Sequence, residues 1–249
     1  MTEWAKPVIE IPVDNLQIDE NVLFGKNVRI VGGPGSFLKI GAFTKIHNNS
    51  LILARGHLSI GEACWFGERT VIDGTGITSI GDFVGVGIGS SLYSHMEHGD
   101  ILEGSNHRSK GRLTIGSDAW LVGQCLVSPV IIGEKSMAML GSVIVKNMLP
   151  EHTYGGNPAK DLSEKFVLPW SKISLEHKEN YLKEKILSSG FEDRTHVCRE
   201  WPDKLNDSHV YYNISTREYV NGHDTNHWFP RLHWFLLSDT IRFRLRRFN

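Results

Sequence analysis

The sequence predicts a mainly β protein: a parallel solenoid of six-residue repeats, interrupted once by a protruding loop and followed by a small α+β extension. Three observations predict it. Ile-Gly recurs at Ile40-Gly41, Ile60-Gly61, Ile80-Gly81, Ile115-Gly116 and Ile132-Gly133, the first three starts 20 residues apart and the last two 17 apart. Within each coil a large apolar residue returns at every sixth position. Small or β-branched residues follow four positions after the first two of each triplet. A fixed period of this size marks a repeat protein, in which each coil buries its apolar face only against its neighbours.

The triplets run Ile40, Ile46, Ile52; Ile60, Phe66, Ile72; Ile80, Val86, Leu92; Ile115, Leu121, Val127; and Ile132, Ala138, Ile144. The small positions are Thr44, Ser50, Cys64, Thr70, Val84, Ser90, Ala119, Cys125, Ser136 and Ser142. A large inward side chain fills the core, and the small one lets the chain turn close to the axis. Three sixes make a triangular coil of 18, and two extra corner residues (Leu58-Ser59, Thr78-Ser79) account for the spacing of 20. Glycine after the inward residue suits an unusual backbone angle or a close approach between coils.

Regularity fails once. After Leu92 the next Ile-Gly start is delayed to Ile115, so a loop bulges out over residues 93–113. Inserted loops on repeat proteins often carry the binding site. This one holds His95, His98 and His107. An imidazole titrating near neutrality suits removal of a proton from a weak nucleophile.

Composition excludes more than it assigns. The 27 basic and 28 acidic residues leave a formal charge of −1, which gives no electrostatic case for nucleic acid. Three cysteines, Cys64, Cys125 and Cys198, make no disulfide framework and read as reduced thiols in a cytoplasmic setting. The segment MTEWAKPVIEIP lacks a basic start and an apolar core, so no export signal is expected, and no run reaches the length of a membrane span.

The hexads resemble those of the left-handed parallel β-helix acyltransferases, the hexapeptide-repeat family. The likeness covers roughly residues 18 to 165 and is densest from Ile115 to Lys160, where GGNPAK (Gly155 to Lys160) is similar to a glycine-asparagine-proline signature that ends many members. The left hand comes from the resemblance alone, since parallel crossovers are otherwise right-handed. The resemblance implies an acetyl-CoA-dependent transfer to a saccharide, a homotrimer with sites at subunit clefts, and no metal. It implies His95 as general base, matching the histidine that opens the equivalent loop in galactoside and maltose acetyltransferases. His98 follows as a substrate contact or substitute base.

Other roles follow by the same route. Asp73 falls close to an acidic substrate contact, and Trp120 matches a tryptophan that lines the site. Gly123, Gly141 and Ser142 match wall positions that approach the coenzyme's pantetheine arm, and wall amides can hold an oxyanion. Lys146 and Lys160 match basic positions that meet its phosphates. Leu140 and Val145 belong to the same wall but depart from the alanine and threonine frequent there. Phe66 stands where the small-glycoside enzymes carry a sugar-contacting asparagine. The expected reaction is therefore acetylation of a sugar hydroxyl in surface polysaccharide or lipopolysaccharide building, with direct transfer. The rivals are N-acetylation of a nucleotide-linked amino sugar and a non-catalytic scaffold. A zinc site of the γ-class carbonic anhydrase kind is disfavoured, because the later coils lack histidine.

Beyond residue 165 the pattern changes. Residues 174–189 predict a helix with Leu175, Leu182 and Ile186 on one face and Gly190 as its stop. Residues 209–220 predict a hairpin turning near Ser215, residues 226–237 a short aromatic helix, and residues 240–248 a strand. Trp228, Phe229, Trp234, Phe235, Arg242, Arg244, Arg246 and Arg247 make the end aromatic and basic. A packed helix and strand with exposed arginines accounts for them better than a weak contact with a membrane surface or glycan. His223 and His227 stand four apart, but Gly222 and Asn226 favour a loop over a metal-binding helix.

Overall fold

The computed structural model describes residues 4–106, 108–166, 169–222, 225 and 228–246, with the backbone alone for 108–110. The chain divides into two compact units, residues 1–170 and 171–249. The first is a parallel β-solenoid of about 7 turns among the described residues.

Its three faces follow from the hexads. One face stacks Leu23–Gly25, Lys45–Ile46, Trp65–Phe66, Gly85–Val86, Trp120–Leu121, Met137–Ala138 and Thr153–Gly155. The second stacks residues 29–31, Leu51–Leu53, Val71–Asp73, Ser91–Leu92, Leu126–Val127 and Val143–Ile144. The third stacks residues 37–40, His57–Ile60, Ile77–Ile80, Arg112–Ile115 and Ile131–Ile132. Ile40, Ile60, Ile80, Ile115 and Ile132 stand in register, so each coil lays its isoleucine on the one before. All fifteen residues of the predicted triplets are buried in one core. Full burial of such a side chain contributes about 1.5–3 kcal/mol.

The small positions do more than make room. Thr44 Oγ1 donates to the carbonyl of Gly61 at 2.9 Å and accepts from Cys64 N at 3.1 Å, so one hydroxyl ties two coils together. Ser50 and Ser90 accept in the same way from the amides of Thr70 and Cys125. The Ile-Gly glycines serve close approach rather than unusual angles: a Cβ on Gly41 would lie 2.7 Å from the Gly61 carbonyl carbon. The left-handed angles fall two residues later, on Phe43, Ala63, Phe83, Asp118 and Lys135.

A further strand, Val8–Ile18, lies outside the hexad pattern. It runs parallel to Arg29–Ile40, a strand long enough to span the second and third faces, and covers the first coil. At the other end Lys160–Asp161 turns back antiparallel on Tyr154–Gly155, within the glycine-asparagine-proline segment.

The second unit is α+β. Helix α1 (Leu175–Ser189) starts where Ser174 caps it by accepting from His177 N, and stops at Gly190 with φ 74°. Leu182 and Ile186 are buried, but Leu175 is exposed, because it sits in the first turn beyond the packed stripe. The hairpin pairs Val210–Asn213 with Glu218–Asn221. Thr195–Cys198, unforeseen in the sequence, flanks it on one side. Of the expected strand over 240–248, the described residues form Arg244–Leu245 on the other side, and residues 241–243 are taken up in leaving the preceding helix. That helix, α2, spans Phe229–Ser238. Trp228, Phe229, Leu232 and Leu236 are buried, with Phe229 and His233 against Tyr219 of the hairpin. Burial holds the His233 imidazole neutral by pushing its pKa down to about 3. Most of the aromatic end is thus core, and Trp234 and Phe235 are half-buried. His223, His227, Arg247 and Phe248 lie outside the described residues, and among the described ones no helix is long and apolar enough to cross a membrane.

Candidate active site

Asp73 ends the second-face strand Val71–Asp73, one residue past the inward Ile72. The positions in register on the two preceding coils are Val31, buried, and Leu53, half-buried. Here the base of the inserted loop closes over it, and Asp73 is fully buried. The loop leaves the fourth coil after Ser91–Leu92 and returns at Arg112–Ile115, with His95–Glu97 and Arg108–Lys110 forming an antiparallel hairpin. Its base is stitched to the preceding corner. Gly76 N donates to Ser94 Oγ at 3.0 Å, Gly111 N donates to Ser94 O at 2.8 Å, and Ile77 N donates to Gly111 O at 3.2 Å. The seam has no room for a side chain at Gly76, where a Cβ would lie 2.5 Å from Gly111 O and 2.6 Å from Ser94 O.

Five hydrogen bonds converge on the Asp73 carboxylate. Oδ1 accepts from Thr75 N at 3.0 Å and Thr75 Oγ1 at 2.6 Å. Oδ2 accepts from Ser94 N and Ser94 Oγ, each at 2.8 Å, and lies 2.7 Å from His95 Nδ1. Burial raises the carboxyl's pKa, but the bonds from Thr75, His95 and Ser94 together outweigh it and hold the group below the usual range. The group is therefore an anion that only accepts, so His95 Nδ1 donates to it, and in the neutral imidazole the lone pair is on Nε2. The His95 side chain is 31% exposed. An imidazole held at one nitrogen by a buried carboxylate and open at the other can take a proton from a bound nucleophile.

Asp73 was expected to touch the substrate. Its side chain has no exposed surface, and it stands behind His95 instead. Sequence reading did not foresee Thr75, Ser94, Gly76 and Gly111 in this assembly. The Asp-x-Thr turn at 73–75 was the available signal, since such turns fix a carboxylate locally. His98 is exposed further along the loop, where its carbonyl accepts from Ser105 Oγ. His107 lies outside the described residues.

The expected coenzyme residues separate into two corner columns. Tyr93, Ser128 and Val145 follow one another at the corner of His95, linked by Tyr93 N to Val127 O and Ser128 N to Ile144 O. Val145 and Lys146 are exposed there. Gly123, Leu140 and Gly141 lie at the opposite edge of the second face, with Gly141 N donating to Gly123 O at 2.9 Å. Leu140 is 65% exposed, and a Cβ on Gly141 would meet nothing within 4 Å. Ser142 is not part of that open wall: it is fully buried, and its hydroxyl donates to Met139 O at 2.6 Å. The amides of Val122, Gln124, Gly141 and Ser142 are all spent on solenoid carbonyls, so none of these four holds an oxyanion. Trp120 stands on the first face, half exposed, its indole beside Gly85. Lys160 is exposed on the terminal strand. The described residues include no cluster of three or more His, Cys, Asp or Glu placed to hold a metal ion.

No family model matches the chain. Among solved structures it is similar to AntD, an N-acyltransferase from Bacillus cereus. One mutant of that protein, in complex with dTDP and coenzyme A, shares 18% identity over 70% of this chain and 92% of the other, with a TM-score of 0.54. A second mutant in the same complex shares 17% identity over 71% and 92%, with a TM-score of 0.52. A hexapeptide-repeat acetyltransferase from Vibrio cholerae shares 19% identity over 60% of this chain and 73% of the other, with a TM-score of 0.41. The AntD likeness establishes the solenoid fold that the hexads predict.

Proposed function

We propose that the chain is an acyltransferase that moves an acetyl group from acetyl-CoA to a saccharide hydroxyl, with His95 as general base. The observation that carries this reading is the His95–Asp73 pair, built at the corner where the inserted loop leaves the solenoid. In the proposed step His95 Nε2 takes the hydroxyl proton as the oxygen attacks the thioester carbonyl. The tetrahedral adduct then expels the coenzyme thiolate, which receives that proton from His95. Asp73 keeps the imidazole in the required tautomer and favours its transient charge. The proposed transfer is direct: the Ser94 and Thr75 hydroxyls beside His95 both donate to Asp73, which His95 also needs, and neither is paired with a base and an orienting acid as a nucleophile would be.

The columns flanking the second face support a place for the donor, with Val145 and Lys146 at the corner of His95 and Gly123, Leu140 and Gly141 across from it. The proposed assembly is a homotrimer, which would bring such edges together between subunits. The same base serves an amine acceptor equally well. The AntD likeness, to an N-acyltransferase solved with dTDP and coenzyme A, favours a nucleotide-linked amino sugar as the second reading.

The test is release of free coenzyme thiol from acetyl-CoA, measured with matched hydroxyl and amino sugars, free and nucleotide-linked. Turnover with a hydroxyl acceptor that falls at least ~10²-fold in His95→Ala is expected. Turnover confined to amino acceptors would replace the first reading with the second. Full-rate turnover by His95→Ala would remove the base from both.

A further inference from the structure

The third face of the solenoid has a charge distribution that the proposed transfer step does not use. None of its strand residues, over 37–40, 57–60, 77–80, 112–115 and 131–132, is acidic. Its outward side chains form two columns by register. Phe37, His57, Ile77 and Arg112 make one, and Lys39, Ser59, Ser79 and Thr114 the other. The first column borders the corner of His95. The acids Glu62, Asp82 and Asp118 lie past the opposite edge, where Asp82 Oδ1 accepts from Glu62 N at 2.9 Å. The face is therefore positive at the edge beside His95 and negative beyond the other.

The groups at the positive edge are held close to the His95–Asp73 assembly. His57 is exposed, and its ring stacks on Phe37 with centroids 4.4 Å apart and planes 6° apart. Arg112 is exposed two strands further along the column, roughly 10 Å away at the backbone. It follows Gly111, whose N–H donates to Ser94 O at 2.8 Å, one residue before His95. Arg55, also exposed, precedes Gly56, whose N–H donates at 2.8 Å to Gly74 O within the turn that holds Asp73. Among the described residues neither guanidinium has an ion pair or a side-chain hydrogen bond. An arginine without a carboxylate partner is available to an incoming oxyanion, and its planar fork matches phosphate in two-point geometry.

We propose that this edge is the phosphate subsite of the acceptor. The saccharide reaches His95 as a diphosphate ester, with Arg112 and Arg55 on the diphosphate, and with His57 and the exposed Ser79 donating at its rim. The distance between the His57 and Arg112 backbones, with side-chain reach from each end, suits two linked phosphates better than one. The inference rests on the acyl-transfer reading for the acceptor's role, and it holds for an oxygen or a nitrogen nucleophile alike.

Pyrophosphate is the probe, titrated by calorimetry into the full chain without donor. Saturable binding is expected. It should weaken at least five-fold on going from about 0.1 to 1 M salt, where the screening length falls from about 10 to 3 Å. Arg112→Gln should weaken it at least ten-fold and His57→Gln at least three-fold, with retained folding checked by an unchanged thermal transition. Lys183→Gln, which removes an exposed cation of the other unit, and His95→Ala should each leave it within two-fold. Thymidine diphosphate and geranyl diphosphate share the diphosphate and differ in carrier, so each should displace pyrophosphate, while thymidine should not. In turnover of a diphosphate-linked acceptor, Arg112→Gln should raise KM at least ten-fold and leave kcat within three-fold. Absence of pyrophosphate binding to the wild-type chain, unaltered binding in Arg112→Gln, or displacement by thymidine as effective as by its diphosphate would each overturn the proposal. Thiol release with a free sugar but no pyrophosphate binding would remove this subsite alone, whereas pyrophosphate binding without thiol release from any acceptor would remove the transfer reading alone.

Discussion

Two histidine–aspartate pairs in the solenoid are built to one plan and placed in different surroundings. In each, an Asp-x-Ser/Thr turn supplies two donors to Oδ1, and Oδ2 faces a histidine Nδ1. Asp73 takes Thr75 N and Oγ1 at 3.0 and 2.6 Å, with His95 at 2.7 Å. Asp161 takes Ser163 N and Oγ at 2.9 and 2.6 Å, with His152 at 2.6 Å. The surroundings then diverge. The Asp73 side chain is 0% exposed and gains two further bonds from Ser94, whereas the Asp161 and His152 side chains are each 38% exposed. The two pairs therefore share a short hydrogen bond and differ in what surrounds it. Burial of the acid by a dedicated loop is the difference, because it keeps water from competing for the carboxylate and locks one tautomer.

The comparison breaks first at the histidines. His95→Ala should lower kcat by about 10²–10⁴-fold, while His152→Ala should leave it within two-fold, both read by thiol release under saturating donor and acceptor. Equal losses would make the surroundings irrelevant. Next come the acids. Asp73→Asn should lower kcat by about 10²-fold or more through the wrong tautomer, and should cost about 1–3 kcal/mol of stability by leaving buried donors poorly matched. Asp161→Asn should change stability by no more than about 0.5 kcal/mol, as exposed pairs do.

The pH dependence sharpens the same contrast. The folded Asp73 carboxyl has a depressed pKa, so its contribution is complete above the unfolded value of about 3.9 and is lost as pH falls through the folded value. The stability gap between wild type and Asp73→Asn should therefore close below about pH 4, as followed by denaturant unfolding at stepped pH. The seam should show a smaller loss of activity than His95 or Asp73. Gly76→Ala should lower kcat about ten-fold with a modest rise in KM and a measurable loss of stability, since a Cβ only 2.5 and 2.6 Å from two backbone oxygens forces the Ser94 segment to move and tilts His95 on its carboxylate.

The hexads were legible because their signal is local and repeated. Each inward residue is followed by another six positions on, and the fifteen positions so marked are all core. The loop was legible as a failure of that arithmetic, and His95 as the histidine at its root. The strand Val8–Ile18 was not, because it pairs along one long strand and carries no hexad. Leu175 was misplaced because helical spacing marks a face without saying where the packed stripe begins. The side chain of Ser142 was expected on an open wall, but its hydroxyl turns inward, a choice made by the carbonyl of Met139 rather than by residue type.

By itself the sequence determined the coil, its period and its single breach, since burying one apolar residue in every six admits no other regular arrangement of the chain. Only the tertiary structure decided what the breach does to Asp73. The Asp73 carboxylate is held by Ser94 from a loop 21 positions further along, and there it becomes the fixed partner of His95. Contacts between residues so far apart in sequence depend on which coils stack, and stacking is a property of the folded chain alone.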